Sequence, residues 1–123
     1  MKLARLAVIL AAVASCHYAA PDLVYVPDNP GYVEDVHPLF MDHCLVCHSQ
    51  PPDHGAPSTF RLDVYDETGG IPGAHIYGSL ALSDIEQKRM PPAAQADPAE
   101  GVGPNGELML YLWVNSGAPL NRP

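Results

Sequence analysis

Along the chain, apolar positions recur with helical spacing in three places and nowhere alternate over a long enough run to build a sheet. Val36, Phe40 and Cys44 stand at i, i+4 and i+8, with Leu39 beside them; that stripe predicts an amphipathic helix. Asp35 is a good N-cap for it, and Pro38 then falls in the first turn, where its missing N–H costs nothing. A second short helix is expected within Gly78 to Lys88. Ser83-Asp84-Ile85-Glu86 has capping-box spacing and offers a fresh start at Ser83. It must stop at Met90, which precedes Pro91 and is pushed out of the helical region. A last helix is predicted from about Gly106 to Asn115, capped by Asn105 and ended by Gly117, with Leu108, Tyr111, Leu112 and Trp113 as its apolar face.

Between these segments lie turn-formers. Pro51, Pro52, Gly55 and Pro57 make one loop; Gly69, Gly70, Pro72 and Gly73 make another; residues 93–104 are mostly Ala, Asp, Pro and Gly. Phe60 to Tyr65 alternates weakly and is read as an extended segment. The expected fold is therefore mostly α, three or four short helices joined by loops.

The N-terminus is patterned differently. Lys2 and Arg5 precede an apolar run, Leu6 to Ala14, then small residues, which is a secretory signal pattern. The run is shorter than the roughly 20 residues a bilayer span needs. Residues 1–15 are thus expected to be removed on export. Val13-Ala14-Ser15-Cys16 resembles a bacterial lipoprotein box, which would make Cys16 the lipidated first residue. Ordinary cleavage after Ala14 instead leaves Cys16 as an odd thiol in an exported protein, so the lipoprotein reading is preferred. Residues 16–31, with Pro21, Pro27 and Pro30, read as a tether reaching roughly 40 Å at about 3.1 Å per residue. Leu23-Val24-Tyr25-Val26 could dock on the domain instead. Residues 32–123 form the single domain that the length allows.

Composition sharpens this in one respect. Residues 16–123 carry four cations (Arg61, Lys88, Arg89, Arg122) against fourteen acids, a net −10. Such a surface excludes nucleic acid as a partner and favours basic docking patches on partner proteins, although plain solubility explains it equally well.

The chemistry is concentrated in Cys44-Leu45-Val46-Cys47-His48. A Cys-x-x-Cys-His run reads as a c-type haem attachment site. Two thiols on neighbouring turns reach the two vinyl edges of a porphyrin as thioethers, and the next residue, His48, supplies an imidazole to the iron. Zinc could be assembled on paper from Cys44, Cys47, His48 and His54, but adjacent Cys47 and His48 diverge on a helix, whereas tetrahedral zinc needs convergence. A thioredoxin-like pair wants a βαβ pattern that is absent here. A Cys44–Cys47 disulfide is the plain structural alternative.

What fills the second axial position decides what a haem protein does. Met90 is the candidate: it is far enough along the chain to reach the other ring face, and Pro91-Pro92 stiffen its loop. Met1 leaves with the signal, Met41 is on the first helix and Met109 is inside the last. Packing in the core is the alternative for Met90. His75 is the rival ligand; His17, His37, His43 and His54 read as solvated or hydrogen-bonded. Arg61 and Arg89 are candidates to pair haem propionates, although cations at 88 and 89 also suit a helix C-terminus.

Taken together, Val36-x-Pro38-Leu39, His43-Cys44-x-x-Cys47-His48, Phe60-Arg61-Leu62-Asp63, Lys88-Arg89-Met90-Pro91-Pro92, Asn105-Gly106-Glu107 and Leu112-Trp113-Val114-x-x-Gly117-Ala118-Pro119 resemble class I-type monohaem cytochromes c, in particular small exported bacterial (planctomycete-like) domains. The match covers about residues 33–119; the stretch 93–104 departs from it, and the tether lies outside it. The resemblance implies terminal helices crossing beside one covalently bound haem c, with Phe40 and Trp113 at the crossing and His48 and Met90 on the iron. With both iron positions filled, the expectation is a one-electron carrier, not an enzyme, that meets redox partner proteins; with the N-terminal pattern, it is periplasmic or in the cell envelope and touches the membrane only through a lipid anchor at Cys16. The alternative is a haem-based sensor or small-ligand binder in which the distal ligand is labile or missing.

Overall fold

A computed structural model describes residues 22–53, 55–90 and 101–123. The expected leader 1–15, Cys16, His17, His54 and Pro91-Pro92 lie outside the described residues. Among the described residues four α-helices follow one another: α1 (His37–His43), α2 (Leu45–His48), α3 (Ala74–Glu86) and α4 (Gly103–Asn115). Among the described residues there is no strand, and Phe60 to Tyr65 runs as loop. The paired bridge Thr68–Ile71 closes the turn around Gly69 and Gly70. No helix among the described residues is long and apolar enough to cross a membrane.

Helical structure begins three residues before the expected cap. A π-helical turn, Tyr32–Val36, runs directly into α1, with Pro38 in α1's first turn as its lack of an N–H requires. Asp35 therefore does not cap from outside. Its carboxylate reaches back four residues to accept the Gly31 N–H at 2.9 Å. Arg122, near the C-terminus, donates to the same carboxylate through Nε at 2.8 Å and pairs with it through Nη2. Two backbone bonds, Tyr32 N–H to Pro119 and Val33 N–H to Leu120, tie the chain's last residues to this turn.

α3 starts at Ala74, not at Ser83, whose hydroxyl instead accepts from the Gln87 side chain at 2.7 Å. Its buried residues Ala74, Gly78, Ala81, Leu82 and Ile85 form one stripe. It ends at Glu86, before Met90, because Lys88 adopts φ +58° and turns the chain back. α4 likewise starts earlier than expected. Asn105 is inside its first turn and donates from Nδ2 to the Leu23 carbonyl at 2.6 Å. The capping oxygen comes from Asp22, which accepts the Asn105 and Gly106 N–H groups at 3.4 and 3.3 Å. The part of the expected tether that is described is thus a strap on the domain, with Leu23 and Val26 against the core.

The buried face of α4 also differs from the expected one. Gly106, Met109, Leu110 and Trp113 are buried, while Leu108 and Tyr111 are exposed. Trp113 and Phe40 are fully buried and meet edge to face, ring centroids 6.3 Å apart. Burying each such ring is worth about 1.5–3 kcal/mol, and the edge-on pair adds about 0.5–1.5 kcal/mol. Gly78 lets α3 close on the Trp113 ring, and Gly106 lets α4 close on Leu39. Val36, Leu39, Phe40, Leu110 and Trp113 belong to the one core this builds, with Cys44 and Leu45 packed against it.

Candidate functional site

The helix expected to carry the motif breaks within it. Cys44 has φ −121° and ψ −40°, and α2 restarts there as one turn, with Cys47 and His48 N–H groups bonded to the Cys44 carbonyl at 3.1 and 2.9 Å. That break puts Cys44, Cys47 and His48 together on the wall of a cleft of about 240 Å³. Phe60 and Leu62 line it from the loop, Leu80, Ala81, Asp84 and Ile85 from α3, Val102 from the approach to α4, and Met90 from the segment after α3. His43 and Pro57 complete the described lining, which is overwhelmingly apolar. From the sequence His43 is expected to be solvated or hydrogen-bonded, and Asp84 is not among the expected site residues. The i, i+4 relation of Leu80 and Asp84, continued by Ala81 and Ile85, was the available signal for the α3 wall.

His48 is buried, and Phe60 lies edge-on to its ring at 5.0 Å. Burial lowers the imidazole's pKa; a hydrogen bond to the Phe60 backbone and the charge of Asp84 partly oppose this. Burial thus favours the uncharged ring, and one nitrogen, Nδ1, is buried and without a hydrogen-bond partner. A nitrogen left without a hydrogen-bond partner on a buried imidazole is what a metal-ligating histidine offers the metal.

Both motif thiols are free of disulfide. Burial, then the neighbouring Cys47, pushes the Cys44 thiol up to about 12. Burial, then Asp53, also raises Cys47. Reactive and zinc-binding cysteines act as thiolates and need electropositive surroundings that lower the pKa. These surroundings do the opposite. A thioether carries no charge, so the same burial does not penalise it. Among the described residues no group of three His, Cys, Asp or Glu side chains is arranged to hold a metal ion; His54, the fourth member of the zinc alternative, is outside them.

The remaining candidates separate clearly. Met90, half-buried, faces the same cleft as His48. His75 does not line it; it is exposed and stacks on Tyr65, centroids 5.1 Å apart. Arg61 and Arg89 do not line it either. Arg61 donates from Nε to Asp63 at 2.9 Å and also pairs through Nη2. Arg89 donates from Nε to Asp84 at 2.8 Å and pairs with it through Nη2 as well.

The residues present fit a haem bound through Cys44 and Cys47. Between apolar walls, the buried His48 with its unpaired nitrogen and the Met90 thioether are a consistent donor set for iron. In comparisons with known proteins, no family model, no curated protein and no solved structure matches this chain.

Proposed function

We propose that this protein is an exported monohaem c-type cytochrome that carries single electrons. The observation carrying the reading is that Cys44, Cys47, His48 and Met90 wall one apolar cleft, with His48 buried and its Nδ1 without a hydrogen-bond partner. Cys44 and Cys47 would hold the group by two thioethers, and His48 and Met90 would occupy its two axial positions. When bound, haem c supplies an iron that gains and loses one electron.

The chain's own part is to hold, orient and seclude. The Phe60 ring, edge-on to His48, confines its imidazole, and the apolar side chains of α3 and the Phe60 loop keep water from the ligands. With His48 and Met90 both holding the iron, no position would remain for substrate, so the reading is a carrier, not an enzyme. A methionine ligand sets the potential above that of a bis-histidine iron. Arg61 and Arg89 are left out of the holding set because both guanidiniums are engaged by carboxylates. The net charge of −8 over the whole chain suits encounter with basic patches on partner proteins. Export to the cell envelope, with Cys16 as lipid anchor, belongs to the same reading.

The test is expression with a cytochrome maturation system. The protein should be red, give a pyridine haemochrome with one haem per chain, and show the weak far-red band of a methionine-ligated ferric iron. Met90→Ala should lose that band and bind carbon monoxide readily once reduced, whereas His75→Ala should change neither property. A colourless protein would refute the proposal. Fast carbon monoxide binding by the unmutated protein would point to a ligand sensor.

A further inference from the structure

We propose that Asp84 is the positioning residue for Met90, holding the segment after α3 against the cleft by both its backbone and its side chain; this rests on the haem reading above, with Met90 as distal ligand. The backbone arm is a chain reversal. Lys88 at φ +58° swings the chain round so that the Asp84 carbonyl accepts both the Arg89 N–H at 2.7 Å and the Met90 N–H at 3.2 Å. The side-chain arm is the Asp84 carboxylate, which takes the Arg89 guanidinium through Nε and Nη2. Met90 is therefore bonded at its own amide, and its preceding residue is clamped twice, all to one residue on the cleft wall.

The clamp also solves a charge problem. Asp84 lines an apolar cleft and its side chain is only 19% exposed, whereas Arg89 is 55% exposed. An unpaired carboxylate there would be costly, and the available countercharge lies one residue before Met90. Neutralising Asp84 and placing the ligand are thus a single event. Arg89's exposure limits the strength of the pair, since solvent-facing ion pairs are worth little. The backbone arm survives any side-chain change. The expected effect is therefore a weakened hold, not a lost one: about three- to tenfold more of the population with Met90 off the iron.

The experiment compares Asp84→Asn, Arg89→Gln, the double variant and Asp84→Glu in the haem-loaded, full-length protein. Readouts are the far-red band and the rate at which the reduced form takes up carbon monoxide. Asp84→Asn and Arg89→Gln should each keep one haem per chain, weaken the band and speed uptake about three- to tenfold. The double variant should go little further, because both single changes cut the same contact, and Asp84→Glu should recover part of the band. If Asp84→Asn does not accumulate, exposed Arg89→Gln decides alone. Wild-type band and uptake in the haem-loaded variants overturn this inference and leave the haem reading standing. A wild type without haem, or one whose spectrum ignores Met90→Ala, overturns both.

Discussion

Asp35 shows how much one side chain carries in a small domain. Its carboxylate is buried, yet it is kept ionised by Arg122 and, to a lesser degree, by the Gly31 N–H, while burial opposes them. The folded carboxyl thus titrates below the ordinary value of about 3.9. The stabilisation is complete above that value and fades as pH falls through the lowered folded one. Asp35→Asn should cost about 1–3 kcal/mol at pH 7 and flatten the acid side of a thermal-midpoint-against-pH curve. It should not abolish that slope, because Asp63 is held low in the same way by Arg61. Gly78 offers a steric counterpart. A Cβ there would fall inside contact distance of the fully buried Trp113 ring, which has nowhere to move. Gly78→Ala gains roughly 0.5–1 kcal/mol of helix propensity but should still destabilise by about 1–2 kcal/mol through overpacking, read as a lower denaturant midpoint.

At the scale of elements, α3 and α4 end alike, with different residues at the reversal. Each terminus has a left-handed residue whose N–H and successor's N–H bond back into the last turn: Lys88 and Arg89 to Ile85 and Asp84, Gly117 and Ala118 to Val114 and Trp113. Gly117 suits its φ of +90°, whereas Lys88 carries a Cβ at +58°. Lys88→Gly should therefore raise the urea midpoint, by about 0.5–1 kcal/mol of stability, with an unchanged slope. Gly117→Ala should lower it by about 1 kcal/mol, although a Cβ there would touch nothing within 4 Å; that cost is purely backbone. The α4 N-terminus depends on a distant partner, Asp22, so its cap was not legible in the residues next to it. Local candidates such as Asn105 turn instead to the strap.

For the molecule as a whole, the cleft borders the core. Leu62, Ile85 and Val102 are buried core residues that also line the cleft, with Phe60 packed beside them, and a chain of this size has little spare apolar burial. On the haem reading, the group completes the core as well as supplying the iron. Cys44→Ser with Cys47→Ser should give a colourless protein with a denaturant midpoint far below that of the haem-loaded form. Its secondary structure should largely persist, with increased dye binding to exposed apolar surface. Equal stability with and without the group would mean that the cleft closes by itself.

The sequence by itself determined the features set by a few adjacent residues: the spacing of Cys44, Cys47 and His48, Pro38 in a first turn, Gly117 at a helix end, and a mostly helical chain broken by Pro and Gly loops. Each is a local backbone or spacing constraint, complete within a handful of positions. Only the tertiary structure decided which face of α4 is buried, because Leu108 to Val114 is apolar throughout and its pattern has no phase. It alone turned Asp35 towards Arg122, brought Asp84 and Met90 to the wall that holds His48, and left His75 stacked on Tyr65. Those outcomes depend on partners tens of residues away, which a pattern read along the chain does not contain.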